Sequence, residues 1–96
     1  MPEDKDAAEP YRLILAPGAR RALTDHLQAA AAFAAWKFIS GPLLHRPRRV
    51  GAPLRAPFED LRRARRGEYR VRYRIDEAGH TVYVLDIDHR RDAYHG

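Results

Sequence analysis

The sequence predicts one small α/β (α+β) domain, and three observations carry that expectation. A short apolar stretch, YRLIL at Tyr11–Leu15, reads as a strand. From Ala19 to Ile39 the apolar residues fall at helical spacing. Between Glu59 and Asp88 the pattern turns to alternation, in three runs separated by turn residues. At 96 residues the chain has room for one modest core.

The elements follow in order. Residues 1–10 form an acidic, polar segment expected to be a flexible tail, and residues 11–96 are expected to form the single domain. The first strand is closed by Pro17 and Gly18. Ala19, Leu23 and Leu27 then repeat every fourth residue, with Arg20, Arg21, Asp25 and Gln28 on other faces. The alanine run with Phe33, Trp36, Phe38 and Ile39 continues the helix until Gly41–Pro42, which should weaken or stop it. About 24 residues is long for one helix in so small a domain, so a hairpin of two helices fits better, although no breaker marks the join. Phe33 and Trp36 are expected in the core. Residues 45–57, HRPRRVGAPLRAP, read as a loop. Strands are expected at about Glu59–Arg65, Tyr69–Asp76 and Thr81–Asp88, with turns at Arg66–Gly67 and Glu77–Gly79. His26, His45 and His80 read as surface or loop residues.

Composition narrows the function classes. The absence of cysteine excludes disulfides and thiolate metal sites and suits a reducing, cytoplasmic setting. No apolar run approaches the ~18 residues of a membrane span, and the acidic start is unlike a secretion signal. The net charge of +5 is unevenly placed. Residues 45–75 hold eleven arginines against Glu59, Asp60 and Glu68, a local +8. Sixteen of the eighteen basic residues are arginine, whose planar fork of donors matches phosphate. A basic surface can simply be solvated, but this clustering favours a polyanionic partner.

Strand register turns the pattern into chemistry, because a one-residue slip exchanges the two faces. Tyr69, Val71, Tyr73 and Ile75 should face the helices, matched on the last strand by Tyr83, Leu85 and Ile87. A three-residue turn at Glu77–Gly79 would set Arg74 opposite Val82, Arg72 opposite Val84 and Arg70 opposite Asp86, which could then pair Arg70. A turn at Arg66–Gly67 would set Arg63 opposite Arg70 and Arg65 opposite Glu68. Two directly opposed arginines repel, an arrangement suited to a site that receives an anion. The same register turns Arg62 toward the helices, with its head in water at the sheet edge. Asp86, Asp88 and His89 have spacing that could suit a metal, but the surrounding arginines favour salt bridges instead.

PRRVGAPL, RRGEYRVRYRID and VYVLDIDHRRDAY together resemble the RelE/ParE superfamily of bacterial toxins, most closely its RelE branch, over roughly Tyr11 to Tyr94. The alanine-rich DHLQAAAAFAAW matches only in kind. The resemblance implies a RelE-like fold: an N-terminal strand, a helical hairpin, then a three-stranded antiparallel meander, with helices on one face of a small sheet. It implies the toxin of a type II toxin–antitoxin system, an mRNA endoribonuclease acting in the ribosomal A site with no cofactor or metal. It also implies a cognate antitoxin as partner and a toxin–antitoxin hetero-oligomer, with no membrane association.

Carried over by position, the motif arginine is Arg70, the basic residue of the preceding strand is Arg63, the arginine after the last strand is Arg90, and the C-terminal tyrosine is Tyr94. A second lysine found in some members falls here on Leu61, and the interval from arginine to final tyrosine is shorter than in some relatives. Arg63, Arg70 and Arg90 are expected on the scissile phosphate or leaving oxygen, with Tyr94 or His89 moving the proton. Arg46, Arg48, Arg49, Arg55, Arg65 and Arg72 are expected to contact RNA or ribosome without sequence preference. Two other functions compete: a ParE-like gyrase inhibitor without nuclease chemistry, and a catalytically inactive RNA-binding homologue.

Overall fold

A computed structural model of the chain describes residues 9–89. Most of the expected tail, and the candidate residues Arg90 and Tyr94, lie outside the described residues.

The first strand, β1 (Arg12–Leu15), leads into helix α1 (Pro17–Arg21), which starts with proline where a backbone donor would have no helical partner. The helix widens into a π-turn at Ala22–His26. Leu27 and Gln28 are extended, and α2 (Ala29–Phe38) begins after them. The hairpin is therefore real, with its break at two residues of no special backbone preference. Packing accounts for it. A straight helix of about 24 residues would run ~36 Å, too long to keep both Leu23 and Phe38 over the same small sheet.

Of the two outcomes expected at Gly41–Pro42, the second helix is weakened there and not stopped. Proline lacks the N–H that an α-turn needs, and the helix responds by widening into a π-turn at Ile39–Leu43. The turn is followed by a bond from the Arg46 N–H to the Pro42 carbonyl at 2.9 Å.

The sheet has five strands in the order β1-β5-β4-β3-β2. Strand β1 runs parallel to β5 (Thr81–His89), and the other pairs are antiparallel. The loop expected at 45–57 contributes the extra edge strand β2 (Ala52–Pro53), paired to β3 (Arg62–Arg66). Proline is tolerated there because it lies at the sheet edge. The helices pack on one face, where Ala19, Ala35, Ile39 and Leu43 meet Val71, Tyr73, Val82 and Val84. Among the described residues no helix packs on the other face.

Both expected registers shift. Between β3 and β4 (Tyr69–Asp76) the turn residues are Gly67 and Glu68, with Gly67 at φ 58°, a conformation that favours glycine. Moving the turn by one residue moves the register by two. Arg65 now faces Arg70 and Arg63 faces Arg72, so Arg65 does not pair Glu68 across the strands.

Between β4 and β5 the turn has four residues, because Asp76 pairs Thr81 and His80 adopts φ 50°. The apolar phase of β5 is consequently reversed at its start: Val82 and Val84 are fully buried, while Tyr83 and Leu85 are half-buried. A β-bulge then leaves Leu85 without an opposite residue and restores the phase at Ile87, which is buried. Asp86 faces Arg72, rather than Arg70 as expected, and Arg70 faces Asp88.

Two aromatic side chains also depart from expectation. Phe33 and Trp36 are exposed, at 65% and 42%, on the side of α2 turned from the core.

Candidate nucleic-acid interface

Alternation along β3 and β4 sends Arg63, Arg65, Arg70, Arg72 and Arg74 to the open face, since Ala64, Val71 and Tyr73 occupy the buried one. Two arginine pairs are opposed across one ladder, Arg65 with Arg70 and Arg63 with Arg72. Asp86 and Asp88 enter from β5. Asp86 accepts a bond from the Arg72 guanidinium. Arg74 instead lies over the Tyr83 ring, 4.5 Å from its centre. Arg63, Arg65 and Arg70 have no ion pair among the described residues.

Arg63 and Arg70, although not directly opposed, line one cleft of about 150 Å³ with Arg72, Asp86, Asp88 and Leu54. That is room for roughly five water volumes at ~30 Å³ each, enough for a phosphate group. The bulge has chemical consequence here. It brings Asp86 to Arg72, which leaves Arg63 and Arg70 as the cleft's uncommitted cations.

His89 is not brought to this cleft. It follows Asp88 on the strand and so alternates to the helix side, opposite Tyr69. Its Nε2 lies 3.5 Å from Glu68 Oε1. Burial acts against the tyrosines of the sheet interior as bases. Burial raises the pKa of Tyr73, opposed by the hydrogen bond and charge of Arg62 and by Arg48. Burial likewise raises that of Tyr69, opposed by Arg66. Among the described residues no group of three or more histidines and acids could hold a metal, so Asp86, Asp88 and His89 do not form one.

The loop arginines form a second basic region at the other end of β4. Arg46, Arg48 and Arg49 line a larger cleft, of about 600 Å³, with Tyr11, Glu77 and His80. They are not equivalent. Arg48 is held by Glu77, with Nη2 at 2.7 Å from Oε2, whereas Arg46 and Arg49 have no ion pair among the described residues. Glu77 also accepts from Tyr11 Oη at 2.8 Å. That bond first, and then Arg48, lowers its pKa. His80 is not the solvated loop residue that the sequence suggested: its ring stacks on Tyr11, with centroids 3.9 Å apart. Arg55 is exposed in the turn after β2, away from both clefts.

Sequence reasoning missed what holds this loop. Arg62 does turn toward the helices, but its head is not in water. It donates to the Arg48 carbonyl at 3.0 Å and the Gly51 carbonyl at 3.1 Å. The buried Tyr73 hydroxyl donates to the Pro47 carbonyl at 2.5 Å. Gly51 packs so closely that a Cβ there would lie 2.7 Å from the Arg63 carbonyl. An arginine at a core-facing strand position was the available signal that a loop must fold over it to satisfy its donors.

The family model described as the ParE toxin of the type II toxin–antitoxin system parDE matches residues 5–94. The chain is 42% identical to Toxin RelE of Mycobacterium tuberculosis over 85 residues, covering 88% of this chain and 87% of that one. It is also 42% identical to Toxin RelG of the same organism over 85 residues, covering 88% and 97%. The toxin–antitoxin complex RelBE2 of M. tuberculosis contains a chain that superposes with a TM-score of 0.80 at 41% identity, over 85% of this chain and 100% of that one.

Proposed function

We propose, for a chain that belongs to the ParE toxin family of type II toxin–antitoxin systems and is RelE-like within it, that its toxicity is ribosome-dependent cleavage of mRNA. The observation that carries the reading is the pair of uncommitted guanidiniums, Arg63 and Arg70, in one phosphate-sized cleft. Each is directly opposed to another arginine, Arg63 to Arg72 and Arg70 to Arg65, and that cross-strand repulsion disfavours the empty site. An anion between them relieves it.

In the proposed reaction the RNA 2′-oxygen attacks the adjacent phosphorus and the bond to the 5′-oxygen breaks. The products are a 2′,3′-cyclic phosphate and a 5′-hydroxyl. Arg70 and Arg63 stabilise the charge that grows on the phosphorane, with Arg90 as a third donor. Tyr94 is the candidate for taking the proton from the 2′-hydroxyl, and the phenol so formed, or water, returns a proton to the departing 5′-oxygen. A free tyrosine, with a pKa of ~10, is a poor base at neutral pH, but neighbouring guanidiniums favour tyrosinate. Fixed guanidiniums supply charge stabilisation that other nucleases draw from a metal, so cleavage is expected to persist in EDTA. Arg46 and Arg49 in the larger cleft, and the exposed Arg55 and Arg65 outside both clefts, contribute sequence-independent contacts to RNA. A cognate antitoxin is the expected protein partner, with an acidic segment that folds on the basic face. Phe33 and Trp36 offer it apolar surface.

Single-turnover cleavage of mRNA on programmed ribosomes tests the assignment. Arg70→Ala should lower the rate about 100–1000-fold, the loss typical of removing one transition-state donor, while the circular dichroism spectrum is retained. A rate near that of the native protein would refute the role. A DNA-damage response in cells without translation arrest would refute the reaction class.

A further inference from the structure

The cleft at the far end of β4 has a composition that general phosphate attraction does not explain. We propose that it is a second RNA subsite, which grips one unpaired nucleotide by its base as well as its phosphate. The inference rests on the reading of the chain as an RNA-directed toxin and deepens it.

Three features carry it. The cleft, of about 600 Å³, is the larger of the two basic clefts, and it is lined by the stacked rings of Tyr11 and His80. Stacked aromatic rings at the wall of a basic groove are the means by which proteins hold single-stranded nucleic acid. The second feature is the division of charge. Glu77 occupies Arg48, while Arg46 and Arg49 have no ion pair among the described residues. A phosphate would therefore settle toward Arg46 and Arg49. The carboxylate of Glu77 repels phosphate and accepts hydrogen bonds, so a base fits beside it and a phosphate does not. The third feature is preorganisation. Arg62 and Tyr73 bond the carbonyls of Pro47, Arg48 and Gly51, which fixes the loop carrying the arginines. The Nε2 of His80 lies 3.0 Å from the Glu9 carbonyl, and His80 stands at φ 50°. A strained, tethered histidine stacked on a tyrosine is a fixed platform.

This cleft is also separate from the Arg63–Arg70 cleft. Arg72 and Glu77 are five positions apart along the chain, or ~17 Å at strand spacing. Both clefts could hold one strand at two points.

Fluorescence anisotropy of a labelled single-stranded RNA hexamer, compared with the same hexamer bearing abasic sites, reads the proposal without ribosomes and without cleavage. His80→Gly is the chosen variant, because glycine adopts the positive φ of that turn without strain and only the ring is lost. The native protein should bind the base-bearing strand about tenfold more tightly than the abasic one. His80→Gly should bring the two affinities together, and Arg46→Gln should weaken both. Equal binding of the two strands by the native protein would overturn the proposal, as would native-like affinity in a folded His80→Gly. Displacement of the RNA by poly-glutamate at equal concentration would overturn it in favour of an acidic protein ligand. The two readings fail separately. Binding that tracks the base, with no cleavage on ribosomes, would sink the nuclease and keep the subsite.

Discussion

Arg65→Gln should stabilise the isolated protein. Arg65 and Arg70 are directly opposed on β3 and β4, and Arg65 has no acid partner among the described residues. Directly opposed side chains start ~5 Å apart at Cβ. With their charged heads about 7 Å apart, the repulsion is ~0.6 kcal/mol at the dielectric of water and ~2.4 kcal/mol at an effective value of 20. Both side chains reach solvent, and Asp88 stands opposite Arg70. The lower end therefore applies, with a net gain of about 0.3–1 kcal/mol. In a domain of this size that raises Tm by about 2–6 °C. The measurement is thermal unfolding in 10 mM and in 1 M NaCl, where the Debye length falls from ~30 to ~3 Å. The gain should be present at low salt and largely gone at high salt. Arg20→Gln is the control. It removes the same charge from the last turn of α1, where a cation is favourable, and should give no gain. Inorganic phosphate should raise the Tm of both proteins, because the Arg63–Arg70 cleft, which Arg65 does not line, is retained in Arg65→Gln. A Tm that falls at low salt, or a gain equal at both salt concentrations, would refute the reasoning.

Two further outcomes are expected. Glu77 has a pKa lowered below 4.5 by Tyr11 and Arg48, so its ionised form favours the folded state. The stability it supplies is present above that ordinary value and is lost as pH falls through the lowered one. The side chain is half-exposed, so the effect is below ~1 kcal/mol; Glu77→Gln should flatten the acid limb of a Tm–pH profile, and an unchanged limb would contradict this. Tyr73→Phe leaves the buried Pro47 carbonyl without its donor and should cost about 1–3 kcal/mol. Urea denaturation would show the loss, and hydrogen exchange should quicken at residues 48–51 before the rest of the sheet.

The order of elements was legible because each is written in local periodicity: YRLIL, the helical spacing through Leu23 and Leu27, and the alternation of β4. The hairpin was legible too, from length alone. What the sequence concealed were single-residue decisions. Whether His80 closes the turn or opens the strand depends on a positive φ, stabilised by its stacking on Tyr11 some 70 residues away. The bulge at Leu85 depends on two apolar phases, Val82–Val84 and Ile87, that no single alternation can bury together. In VYVLDID both phases are apolar, so the segment reads equally well either way. Phe33 and Trp36 fall at helical spacing, but spacing does not say which stripe of α2 meets the sheet. The buried stripe is that of Ala35 and Phe38, and α2 is tied to the sheet where the Tyr69 hydroxyl donates to the Ala34 carbonyl at 3.0 Å.

Those same decisions determine which arginines are available. With a three-residue turn and no bulge, Asp86 would face Arg70 and neutralise the residue on which the proposed chemistry depends. The fourth turn residue and the bulged Leu85 each advance β5 by one position. Their sum is two, which preserves the face and changes the partner. Asp86 is thereby matched to Arg72, and the cleft retains Arg63 and Arg70 as charges without an ion pair among the described residues. The loop repeats the logic: Glu77 takes Arg48 and leaves Arg46 and Arg49. In each cleft one acid holds one arginine, and two further arginines have no ion pair among the described residues, with Asp88 standing opposite Arg70 in the first cleft. The number of arginines in the sequence therefore overstates the binding charge, and the strand register, more than composition, sets where a phosphate can be held.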